Sequence, residues 1–128
     1  MFFSAHGNVD FMISNSCVIN SPKESFNKEG IGILFNSIFS QVKKDNLTTW
    51  TLIELLREDA FATPEAMDEL VKNYERAVVL GCIKFSAVCS NCLQEDFLTQ
   101  VANRANIKLS FYQTANEAYS ANQEFLST

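Results

Sequence analysis

Apolar and polar positions alternate at the start of the chain: Val9, Phe11 and Ile13 are interleaved with Asp10 and Met12, and the triplet Cys17-Val18-Ile19 follows the polar Ser14-Asn15-Ser16. A period of two predicts two short strands joined by a hairpin-like turn. Asn20-Ser21-Pro22 breaks the extended run, and the period then changes, with Ile31, Leu34, Phe35, Ile38, Phe39 and Val42 recurring at helical spacing. This predicts an amphipathic helix ending near Lys43-Lys44, where cations suit the negative end of its dipole. The stretch 47–56, with Trp50, Leu52, Ile53, Leu55, Leu56 and three Thr, has the composition of a buried strand.

Residues 57–62 read as a loop, and Thr63-Pro64-Glu65 as a helix start: a hydroxyl to cap, a proline whose missing amide hydrogen had no partner anyway, and an acid to complement the dipole. Met67, Leu70, Val71, Tyr74 and Val78 form the expected buried stripe. The stretch 80–88 reads as a central strand, and Ser90 or Asn91 caps a helix with Leu93, Phe97, Val101 and Ala105 inward. Ile107, Leu109 and Phe111 alternate as a last strand. Thr114-Ala115-Asn116-Glu117 fits a capping box opening a terminal helix with Ala118, Ala121 and Phe125 inward. The order β-β-α-β-α-β-α-β-α predicts an α/β fold, a mostly parallel or mixed sheet flanked by helices.

Length and charge narrow this picture. At 128 residues, 47% hydrophobic and 20% charged, residues 1–128 make one domain with a sizeable core. The net charge of −5 argues against nucleic acid and anionic membrane surfaces as partners. That charge is localised: Glu54, Glu58, Asp59, Glu65, Asp68 and Glu69 face only Arg57 within their stretch, and the rest of the chain balances. Such a cluster is either a solvated face supporting a helix dipole or a recognition surface, with Glu58, Asp59, Thr63 and Glu65 as its partner-binding candidates. The start of the chain shows no export signal, and the longest apolar run, from Ala77, is stopped by Lys84. A cytoplasmic protein with reduced thiols is expected.

Cys89-Ser90-Asn91-Cys92 is the sharpest motif, a Cys-x-x-Cys where a strand meets a helix. A helix N-terminus stabilises a thiolate, so Cys89 and Cys92 are candidate redox residues; plain packing is the alternative. No proline follows Pro64, whereas thioredoxin-like proteins need one opposite the disulfide. Neither metal nor cofactor is expected: no second ligand pair accompanies the cysteines, His6 is the single histidine, and Gly30-Ile31-Gly32 reads as close helix packing. An apolar cleft lined by Phe35, Phe39 and Trp50 would suit a lipid-like small molecule.

This element order, with Phe26-Asn27-Lys28-Glu29 before the first helix, Thr63-Pro64-Glu65-Ala66 and Glu117-Ala118, resembles the STAS domain of anti-sigma factor antagonists, in a SpoIIAA-like variant. The resemblance implies a non-enzymatic regulatory module that binds a protein partner at the junction before the second helix. Antagonists of that family carry Asp-Ser-Ser-Gly there, with a phosphorylated serine; this chain has Ala62-Thr63-Pro64-Glu65. Thr63 is thus the implied phosphoacceptor, beside its role as N-cap, and a phosphate there would meet Glu58, Asp59 and Glu65 as like charges. An exposed strand edge with Phe2 and Phe3 offers a homodimer face.

Overall fold

In a computed structural model, described for residues 11–22, 27–60 and 62–128, the chain opens on strands β1 (Phe11–Ser14) and β2 (Cys17–Asn20), paired antiparallel. Phe2, Phe3, His6, Val9, Asp10 and Phe26 lie outside the described residues. Asn15 and Ser16 turn the hairpin with φ of 51° and 61°, the two positive values a tight I′-type turn requires.

Helix α1 (Lys28–Lys44) follows, its first turn closed by the Asn27 side chain, which accepts from the Gly30 amide at 2.8 Å. Then come β3 (Trp50–Leu55), α2 (Pro64–Val79), β4 (Cys82–Val88), α3 (Cys92–Ala105), β5 (Leu109–Phe111) and α4 (Ala115–Leu126). The five strands stand in chain order in one sheet, parallel from β2 to β5. When successive parallel strands are added on the same side, right-handed crossovers send every connecting helix to one face. Accordingly α1 packs on α2 and α2 on α3, while on the opposite face, among the described residues, α4 alone lies across β2, β3 and β4. The fold is α/β, a mixed sheet flanked by helices.

The core divides along the pleat of β3. Trp50 and Leu52 join the large cluster under α1, α2 and α3, and Ile53 joins the small one under α4 with Cys17, Val88 and Ala118. All six expected apolar positions of α1 are buried. Close packing at Gly32 is also found, since a Cβ there would come within 3.3 Å of the Glu69 carboxylate on α2. No described helix is long and apolar enough to cross a membrane.

Several boundaries and faces differ from expectation, each for a local reason. β3 begins at Trp50 because the Leu47 amide still closes the end of α1 on the Val42 carbonyl at 3.0 Å. β4 begins at Cys82 because Leu80 and Gly81 form a turn, where Gly81 has φ +106° and the Trp50 indole Nε1 donates to the Leu80 carbonyl at 2.9 Å. Val78 is exposed and Ala77 takes its place in the core. Of the two residues expected to cap α3, Asn91 does so. Leu93 is 80% exposed, and the inward position of that turn belongs to Gln94. In α4, Phe125 is exposed, whereas Asn122 is buried, accepting from Ser86 Oγ at 2.6 Å and donating to the Leu52 carbonyl at 3.5 Å.

Candidate functional site

The carboxyl ends of parallel strands are where connections diverge and leave room for ligands. In this protein a cavity of about 280 Å³ opens there, beneath the loop joining β3 to α2. Ile31, Leu34 and Phe35 of α1 form one wall, and Leu93, Phe97 and Leu98 of α3 another. Leu56, Ala60 and Ala62 form the roof, Leu70 closes the side of α2, and Asn20 and Glu54 stand at the strand ends. Apart from those two and the polar pair Asn91 and Gln94, the lining is apolar.

Glu54 is the unusual member. It is 3% exposed, inside a strand that is otherwise apolar but for Thr51, and no salt bridge reaches it among the described residues. Two donors hold its carboxylate: Tyr74 Oη donates to Oε2 at 2.6 Å and Asn20 Nδ2 to Oε1 at 2.7 Å. Burial pushes the Glu54 carboxyl above the usual range, against the lowering effect of those two bonds. Burial and the facing Glu54 charge likewise push the Tyr74 phenol well up, so it serves as a donor. Tyr74 is fixed by its ring, edge-on to Phe35 at 6.2 Å and tilted against Phe85 at 5.0 Å. Asn20 is 2% exposed, and its Oδ1 is buried without a hydrogen-bond partner among the described residues.

The roof is latched by the start of α3. Gln94 Nε2 donates to the carbonyls of Arg57 at 2.8 Å and Ala60 at 2.7 Å, its Oε1 accepts from the Ser90 amide at 2.7 Å, and Ser90 Oγ donates to the Leu56 carbonyl at 2.8 Å. A polar side chain satisfied this fully rigidifies what it joins. The pocket is therefore held open by structure of its own.

The acidic stretch is less of a surface than its count implies. Glu54 is buried, Asp68 pairs with Arg104 at 2.7 Å and Glu69 with Lys72 at 3.3 Å. Glu58, Asp59 and Glu65 remain exposed, brought together with Thr63 at the loop and first turn of α2. Thr63 takes the N-cap position, but its hydroxyl makes no capping bond, contrary to expectation; the turn is closed by its carbonyl, which accepts from the Ala66 amide at 3.0 Å. Phe35 does line the pocket, whereas Phe39 and Trp50, the other residues expected of an apolar cleft, belong to the solid core.

Cys89 and Cys92 lie at the next strand-to-helix junction. Cys92 is exposed at the first position of α3, while Cys89 is half-buried against the core, and all four cysteines are free thiols. Burial, then the Glu95 and Glu54 carboxylates, push the Cys89 thiol up to about 12. At pH 8 that leaves about one molecule in ten thousand as thiolate. Iodoacetamide at pH 8 is therefore expected to label Cys92 in the folded protein and Cys89 only after denaturation, read by peptide mass spectrometry. A redox pair would instead lose both thiols together under mild oxidant. Among the described residues no group of His, Cys, Asp or Glu is arranged to hold a metal ion.

Sequence reasoning missed Asn20, Tyr74 and Gln94 as site residues, and Glu54 as a buried one. A usable signal was present for Glu54, a charged residue in the middle of an apolar strand.

Comparison with known proteins adds the fold and no more. No protein-family model matches the chain, and no curated protein matches it. The chain is similar to the NMR structure of a protein designated TM1081, with a TM-score of 0.66 at 16% identity, over 96% of this chain and 94% of that one. Identity that low carries the architecture across, not the site.

Proposed function

We propose that the protein is a non-enzymatic, STAS-like binding module, working in the cytoplasm, that holds a small and largely apolar molecule in the pocket at the strand ends. One observation carries this reading: a ready-formed apolar cavity is lined at the strand ends by Asn20, whose Oδ1 is a buried acceptor without a partner among the described residues. Native proteins rarely leave such an atom unpaired, because its lost hydration is not recovered. A ligand donor supplies what is missing. The thiol state favours binding over thiol exchange, since Cys89 is pushed away from the reactive range. Exposed Glu58, Asp59 and Glu65 lie on or next to the loop that roofs the pocket, so ligand occupancy and a protein partner would meet at one segment. That placement is what supports a regulatory role of the STAS kind.

The test uses benzyl alcohol as a neutral probe of the right size, followed by amide chemical shifts. Shift changes are expected at Asn20, Glu54, Leu56 and Gln94 in the native chain. Ala62→Phe, which places a ring into the cavity from its half-buried roof, should abolish them while leaving the α4 face unchanged. Changes confined to other surfaces, or an unaffected titration in the filled variant, would refute the pocket.

A further inference from the structure

We infer that the ligand enters with a protonated amine at its leading end, seated between the Glu54 carboxylate and Asn20 Oδ1, and that its apolar body fills the cavity behind; this rests on the pocket being a ligand site. The argument begins with a count of donors and acceptors. One N–H of Asn20 Nδ2 and the Tyr74 hydroxyl are spent on Glu54, and Gln94 Nε2 is spent twice on the roof. What faces a ligand at the Glu54 end is mainly acceptors, Asn20 Oδ1 and the remaining lone pairs of a carboxylate with about four acceptor positions, against the second Asn20 N–H and the Asn91 amide as neutral donors.

Charge points the same way. Among the described residues the titratable groups around Glu54 are Tyr74 from α2, Cys82 on β4 and Cys89 just beyond it, and none of them can supply a positive charge. The α1 wall is apolar, and α3 brings only Gln94 and apolar side chains. A buried carboxylate without a cation is costly, and a charge-assisted N–H···O bond to an ammonium is among the stronger ways to satisfy it. An ionised Glu54 disfavours fatty acids and phosphates, which would set like charge against it with no cation in the described lining to receive them. Size follows from the volume: 280 Å³, at the ~30 Å³ a water molecule occupies in the liquid, holds about nine groups. The ligand class is a small primary amine on an aromatic or short aliphatic body.

Proton balance gives a second handle. Where Glu54 is protonated in the free protein, forming the ammonium–carboxylate pair breaks its O–H bond and releases that proton to the buffer.

Phenethylamine, 2-phenylethanol and phenylacetate are matched probes, titrated by calorimetry at pH 7.5 in two buffers of different ionisation enthalpy. The amine is expected to bind at least about ten-fold more tightly than the alcohol, releasing a proton only to the extent that Glu54 starts protonated, and phenylacetate not measurably. Glu54→Gln should bring the amine down to the level of the alcohol while the alcohol stays within about two-fold. Phenylacetate binding as tightly as the amine, or amine and alcohol binding alike, overturns the inference and leaves the pocket intact. Failure of all three, together with a silent benzyl alcohol titration, refutes the pocket itself. Should Glu54→Gln not fold, the ranking of the three probes in the native chain decides alone.

Discussion

Gly81→Ala is expected to lower folding stability by about 3 to 5 kcal/mol, a fall in Tm of more than about 10 °C for a domain of this size. Two costs combine. The backbone at Gly81 has φ +106°, a value side-chain-bearing residues rarely adopt, and a Cβ there would lie 2.2 Å from the Thr48 carbonyl oxygen. A backbone oxygen cannot step aside as a flexible side chain can, so the turn itself has to move. That turn positions two bonds at the foot of β3: the Trp50 amide to the Gly81 carbonyl at 3.0 Å and the Trp50 indole to the Leu80 carbonyl at 2.9 Å. Trp50 is fully buried at the centre of the main core, so displacement at Gly81 is passed directly to it. Gly32→Ala is the matched control. Its Cβ would meet only the end of the Glu69 side chain, at 3.3 Å, and alanine gains up to about 1 kcal/mol of helix propensity. Thermal unfolding of the two variants should separate widely; equal, small shifts would show that the turn is soft.

Element order and the α1 face are legible in the sequence because they rest on periodicity, which tertiary contacts reinforce at Ile31, Leu34, Phe35, Ile38, Phe39 and Val42 alike. Boundaries are less so. Leu47 and Leu80 are apolar enough to read as strand, yet their amides are taken by a helix end and a turn, and no propensity registers that competition. The weak faces of α3 and α4 follow a different rule. Gln94 and Asn122 take inward positions that apolarity assigns to Leu93 and Phe125, because each has buried partners drawn from distant segments. Long-range pairing of this kind is invisible to a local pattern. The site fails to show for the same reason, and Glu54 makes the conflict plain: charge counting places it on an acidic surface, while the strand around it places it in a buried layer. The strand prevails, because a β residue inherits the burial of its neighbours on the same face.

Stability should fall as pH rises from the ordinary carboxyl range towards the raised value of Glu54, and Glu54→Gln should remove that slope. The sign follows from proton binding. Burial lifts the folded-state carboxyl above its unfolded counterpart, so between the two values the native protein holds a proton that the unfolded chain has lost. Unfolding then releases a proton, and higher pH favours it by up to about 1.4 kcal/mol for each unit of pH inside that window. Glutamine has nearly the same shape, keeps an acceptor for the Tyr74 hydroxyl and carries no charge, so its stability should be flat over the same range and exceed that of the native chain at the alkaline end. Tyr74→Phe should act in the opposite sense. It deletes the 2.6 Å bond to Oε2 and, where Glu54 is ionised, leaves a buried anion with one fewer donor, at a cost of about 1.5 to 3 kcal/mol that shrinks where Glu54 is protonated. Urea unfolding from pH 5 to pH 9 reads all three chains. A native chain without slope, or a Tyr74→Phe cost that does not change with pH, would mean that Glu54 keeps one charge state throughout, and the coupling between its ionisation and the fold would be refuted.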